Sequence, residues 1–185
     1  MLSGKYVLRV IGALLLLGSP AQAQQESRSG DQTGPLPGPL HRQVGTWSVQ
    51  GDLPAAEGAS PTSGTRICEW MGDGRVLLCR FVNSTQSYAG MAVTSYDATS
   101  HATSGYWMGA ADTHGPIRIT GRFDPETATL TERGEKPVAG GKTVVLEYIW
   151  TFPADDEMRL KVYVRGADGE RQLVVSDRIT RRRAP

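Results

Sequence analysis

Thr143-Val144-Val145-Leu146-Glu147-Tyr148-Ile149-Trp150-Thr151-Phe152 decides the fold. Val144, Leu146, Tyr148, Trp150 and Phe152 fall on one face at a period of two, while Thr143, Glu147 and Thr151 fall on the other, the pattern of a half-buried strand. Pro153-Ala154-Asp155-Asp156-Glu157 then turns the chain into a second alternating run. There Met158, Leu160, Val162 and Val164 alternate with Arg159, Lys161, Tyr163 and Arg165. Gly166-Ala167-Asp168-Gly169 opens a last strand that runs to about Thr180.

Working backwards, Ile117, Ile119, Gly121 and Phe123 alternate with Arg118, Thr120 and Arg122 before an Asp124-Pro125 turn. Further strands are expected over 44–53, 65–72, 75–83, 88–96, 102–110 and 129–133. About ten strands and no amphipathic helix result, so the chain reads as all-β. So many strands joined by short turns remove their exposed edges most simply by closing into an antiparallel up-and-down barrel.

The N-terminus has a different composition. Lys5 and Arg9 precede the apolar run Val10 to Gly18, and Ala21-Gln22-Ala23 follows, the order of a secretory signal peptide. That run is shorter than the roughly 20 apolar residues that cross a bilayer as a helix. Residues 1–23 are therefore expected to be removed, giving a periplasmic or secreted protein with no integral membrane association. Residues 24–39 are polar and rich in Gly and Pro, a composition that suits a flexible leader. Residues 40–181 form the barrel domain, and 182–185 a short basic tail.

Twenty Lys and Arg face nineteen Asp and Glu, a net charge of +1. No general attraction for nucleic acid is written into that balance. Two cysteines in an exported chain favour a disulfide. Asp73-Gly74 is a two-residue hairpin signal, and a turn centred on it places Cys68 opposite Cys79. In that register the two form a hydrogen-bonded pair, with Cα atoms about 5.5 Å apart.

Gly45-Thr46-Trp47 resembles the G-x-W signature of lipocalins and other calycin barrels. The order Val44-Gly45-Thr46-Trp47, Gly72-Asp73-Gly74-Arg75-Val76-Leu77-Leu78, Ser95-Tyr96-Asp97, then Tyr106-Trp107, is similar to a bacterial exported lipocalin-like family of unknown function. The family pattern has adjacent glycines before the Arg and a Gly-Tyr-Asp; here Asp73 separates the glycines and Ser95 replaces the glycine. The resemblance implies a structural closure in which Trp47 plugs the narrow end of the barrel and Arg178, near the end of the last strand, packs over it. It implies no activity.

Catalytic signals are sparse. His41 precedes the first strand, while His101 and His114 flank one strand and lie too far apart to share a metal. No metalloprotease, nucleophile-elbow or phosphate-loop motif occurs. Asp112-Thr113-His114-Gly115 reads as a turn before it reads as an acid/base pair. No His follows His114 to hold haem, and no cofactor is expected. The interior remains. Tyr88, Trp107, Tyr148, Trp150 and Met158 are the expected walls of a ligand pocket, with core filling as the alternative reading of the same residues. The leading expectation is a non-catalytic binding module for a small hydrophobic or amphipathic molecule. A structural or partner-binding barrel, and a cavity isomerase or hydrolase using Asp112 or a buried Tyr, stay open. The oligomeric state is not written in these residues.

Overall fold

The computed structural model describes residues 38–52, 63–72, 74–86, 89–110, 115–166 and 169–182. The signal segment 1–23, residues 24–37 of the leader, Tyr88, Asp112 and His114 lie outside them, while Pro39, expected to end the flexible leader, is buried and begins a helix. A five-residue helix, α1 (Pro39–Gln43), leads into ten strands: β1 (Gly45–Gly51), β2 (Gly64–Met71), β3 (Val76–Asn83), β4 (Ala89–Asp97), β5 (Ala102–Gly109), β6 (Ile117–Asp124), β7 (Thr129–Val138), β8 (Lys142–Ala154), β9 (Glu157–Arg165) and β10 (Arg171–Arg181). Each strand pairs antiparallel with its neighbour in sequence, and β1 pairs with β10, so the sheet closes. Helix α1 is too short to write a 3.6-residue period into the sequence. It starts on Pro39, whose fixed φ suits a first helical turn.

Inward and outward sets follow the alternation read from the sequence. Val144, Leu146, Tyr148, Trp150 and Phe152 face the interior, as do Leu160 and Val162 across the β8–β9 ladder. The outer face carries Arg118, Arg122, Arg159 and Lys161. Apolar inside and charged outside is the reverse of a transmembrane barrel. No helix among the described residues is long and apolar enough to cross a membrane. Strand β7 runs to Val138, five residues beyond the expected end at Arg133. Gly134, Glu135, Lys136 and Pro137 have low strand propensity, and pairing with β8, joined at Gly134 by pairing with Ile119 of β6, keeps them in the sheet.

Cys68 and Cys79 are bonded, as their register predicts. The pair type differs. Their Cα atoms are 4.1 Å apart, the spacing of a non-hydrogen-bonded pair. The strands stop at Met71 and Val76, and the Gly74 N–H donates to the Met71 carbonyl at 3.2 Å. The loop is thus wider than a two-residue turn, which moves the alternation of pair types by one step.

One end of the barrel is closed. Trp47 is fully buried there with Leu130, Phe152, Met158 and Ile179, and α1 lies across the same end with Leu40 buried against Cys68, Leu77 and Cys79. The cation over Trp47 is Arg181, not Arg178. Arg181 sits opposite Trp47 in the β1–β10 ladder, with its guanidinium 4.1 Å from the indole centroid. Arg178, an odd number of residues away, points outward and pairs with Glu157 at 3.0 Å. Gly45 makes the stacking possible: a Cβ there would lie 2.5 Å from Nη1 of Arg181.

Candidate interior binding site

Above the closed end the interior is not filled. A cavity of about 580 Å³ extends toward the opposite rim, inside the range typical of small-molecule sites. Ile117, Ile119, Leu146, Leu160, Val162 and Ile179 form apolar walls, and Val138, Val144 and Val164 line it at the far ends of their strands. A bulge in β10 between Leu173 and Val175 brings two consecutive residues, Val174 and Val175, to the lining.

Of the expected wall residues, Trp107, Tyr148 and Trp150 line this space. Met158 faces inward but is spent in the closed end, packed in the Trp47 cluster and 1% exposed. It sits opposite Ile179, one pair from the end of the ladder at the closed end, and is not among the lining residues. Gly90 makes room for Trp107, whose ring lies 2.5 Å from where a Cβ would stand.

The floor of the cavity is polar, a feature absent from the residues singled out in the sequence. Arg66 (β2), Glu132 (β7), Asp177 (β10) and Gln43 (α1) are all buried and all line it. Arg66 donates from Nη2 to Oε1 of Gln43 at 2.8 Å and from Nε to the sulfur of Cys68 at 3.2 Å. Its guanidinium lies 4.7 Å from the ring centroid of Trp150. Glu132 accepts from the Thr103 hydroxyl at 2.9 Å on one oxygen and from the Trp150 indole N–H at 3.1 Å on the other. Gly121 permits this approach, since a Cβ there would press within 2.5 Å of the Glu132 side chain. Gln43 joins floor to plug: its backbone carbonyl accepts from the Trp47 indole at 2.8 Å while its side chain holds Arg66.

Burial dominates the electrostatics. It lowers Arg66 to about 10, against the opposing pull of Glu132 and Asp177, so the side chain stays cationic at neutral pH. It also raises Glu132 above the ordinary carboxylate range, despite the lowering effects of Thr103, Trp150 and Arg66. Lys136, four residues from Glu132 on β7, is the other cationic side chain on the described lining. The lining thus holds two cations against two carboxylates. No group of three or more His, Cys, Asp or Glu among the described residues could hold a metal.

A family model described as "Protein of unknown function (DUF1579)" matches residues 38–181. The chain belongs to the DUF1579 family. The matched segment begins just before α1 and ends on Arg181, so the DUF1579 unit includes the helix that closes the barrel and the arginine that covers Trp47. No curated protein matches the chain.

The polar floor had a signal in the sequence. Arg66 shares its parity with Cys68, Glu132 with Leu130, and Asp177 with Ile179, so each is a charged residue on the apolar face of its strand. A charge in that position is either paired in the interior or placed for a ligand.

Proposed function

We propose that this DUF1579 protein is a binding module that holds one small hydrophobic or amphipathic molecule inside its barrel and performs no chemistry on it. The observation that carries this reading is the cavity of about 580 Å³, walled by apolar side chains and floored by one compact polar cluster. Apolar walls supply affinity through burial, and a few convergent polar groups fix orientation. Trp107, Tyr148 and Trp150 are the aromatic contacts of the bound molecule. The calycin resemblance, with its G-x-W strand opening the barrel, agrees with a carrier role. The disulfide agrees with export to the periplasm or beyond after cleavage near Ala23.

A cavity enzyme has one observation in its favour. Glu132 is a buried carboxylate held above its ordinary range, and it lies opposite Tyr148 in the β7–β8 ladder. Both of its oxygens already accept hydrogen bonds from fixed donors, which favours a scaffolding part in the floor.

Native mass spectrometry of protein purified from its own host tests the proposal, together with titration of the stripped protein with an apolar fluorescent dye. A copurified small molecule, or saturable dye binding at one site, is expected. Protein free of small molecules that also leaves the dye unbound overturns the binding reading.

A further inference from the structure

We propose that the cavity selects an uncharged amphiphile, an apolar body ending in a neutral hydrogen-bonding head such as an alcohol or a primary amide, with the head seated at Arg66 and Gln43. The inference rests on the binding reading above and specifies the ligand class. Its first support is charge balance. The floor's cation, Arg66, already has the two carboxylates of Glu132 and Asp177 acting on it, while Lys136 stands four residues from Glu132 on β7, opposite Val144 at the rim. An anionic head brought to Arg66 enters the field of both carboxylates, the same two that act on the guanidinium. A cationic head meets Arg66 itself. In a buried site of low dielectric either addition sets like charges side by side, at a cost well above that of the same contact in water.

The second support is the mixture of hydrogen-bonding groups. The guanidinium of Arg66 only donates, the carboxylates of Glu132 and Asp177 accept when ionised, and the amide of Gln43 does both. A hydroxyl or primary amide also gives and accepts hydrogen bonds, so it can engage both kinds of partner at once. A sulfonate or carboxylate anion can only accept, and an ammonium can only donate. The location of these groups supplies the third support. They gather at the floor, with Gln43 held between Trp47 and Arg66, while the walls above are apolar. The head therefore lies deep and the apolar body extends toward the rim at Val138, Val144 and Val164.

The test uses the wild-type oxidised protein and a straight-chain series of one length that differs only in its head: alcohol, primary amide, sulfonate and ammonium. Each displaces a bound apolar fluorescent dye near neutral pH, below its aggregation concentration. The alcohol and amide are expected to displace the dye at concentrations about tenfold or more below those needed for either charged member, the scale of a hydrogen-bonding mismatch in a buried site. A sulfonate that binds tightest makes Arg66 an anion receptor and overturns the inference. An ammonium that binds tightest assigns recognition to Glu132 and Asp177 and does the same. Four equal affinities mean that the floor does not read the head. In all three of those results the cavity still binds and the proposed function stands. If the dye and every member of the series fail to bind, the proposed function falls and takes this inference with it.

Discussion

The guanidinium of Arg181 lies 4.1 Å from the indole centroid of Trp47, directly across the seam where the last strand meets the first. Its Nη1 also donates to the Val44 carbonyl at 2.7 Å. One side chain therefore stacks on the plug and fastens the two ends of the sheet. Replacing Arg181 with Ala is expected to cost about 2 kcal/mol, from a cation–π contact and hydrogen bonds to backbone. Arg178→Ala removes an exposed ion pair with Glu157 and is expected to cost less than about 1 kcal/mol. Urea unfolding of both variants checks the ranking, and equal losses would contradict the seam assignment.

Trp150 carries three duties: it lines the cavity, donates to Glu132 and stacks under Arg66. Trp150→Ala is expected to destabilise the protein by about 3 to 5 kcal/mol and to change dye binding by reshaping the pocket. The parent should already bind the dye. A folded variant that gains a dye site absent from the parent would mean that the parent interior is packed.

The barrel was legible in the sequence because most of its strands alternate at a period of two, most clearly from Thr143 to Phe152 and from Met158 to Arg165. The disulfide followed from the same register. Two features were not legible and a third only in part, each for a physical reason. The closing arginine was misplaced by three residues, because Arg178, Arg181 and Arg182 sit near one strand end and only the ladder register shows which one faces Trp47. Helix α1 spans little more than one turn, too few residues to write a periodicity. The polar floor draws Arg66, Glu132, Asp177 and Gln43 from three strands and a helix far apart in the chain, and barrel closure alone brings them together.

Stability should respond to pH in two opposite ways. Burial raises the Glu132 carboxyl, so the native state holds its proton more tightly than the unfolded chain does. The stabilisation this provides is complete below the unfolded value, about 4.3, and is lost as pH rises through the folded one. Asp97 behaves in the opposite sense. It accepts from the Ser100 hydroxyl at 2.6 Å and the Thr99 N–H at 2.9 Å, which lowers it. Its contribution is present above the unfolded value and is lost as pH falls through the folded one. Glu132→Gln should flatten the loss on the rising-pH side, and Asp97→Asn should flatten the loss on the acid side. Urea midpoints across the pH range decide both signs.

The Cys68–Cys79 bridge joins neighbouring strands across a sequence separation of 11 and is buried beneath α1. Its removal by Ser at both positions is expected to cost about 2 to 3 kcal/mol in the chain-entropy picture. Because both cysteines are 3% exposed or less, a thiol reductant should reach the bond only through opening of the closed end. Reduction should therefore accelerate in step with added denaturant. A rate that denaturant does not change would place the bond within reach of solvent in the native state.

Gly38, packed on Tyr96, and Arg182, bonded to the Thr46 carbonyl, both lie at the closed end. The described chain thus enters and leaves the barrel on the side away from the cavity rim. A surface, fusion partner or larger assembly attached through either point would grip the vessel by its base. The end toward which the cavity extends would be left facing outward.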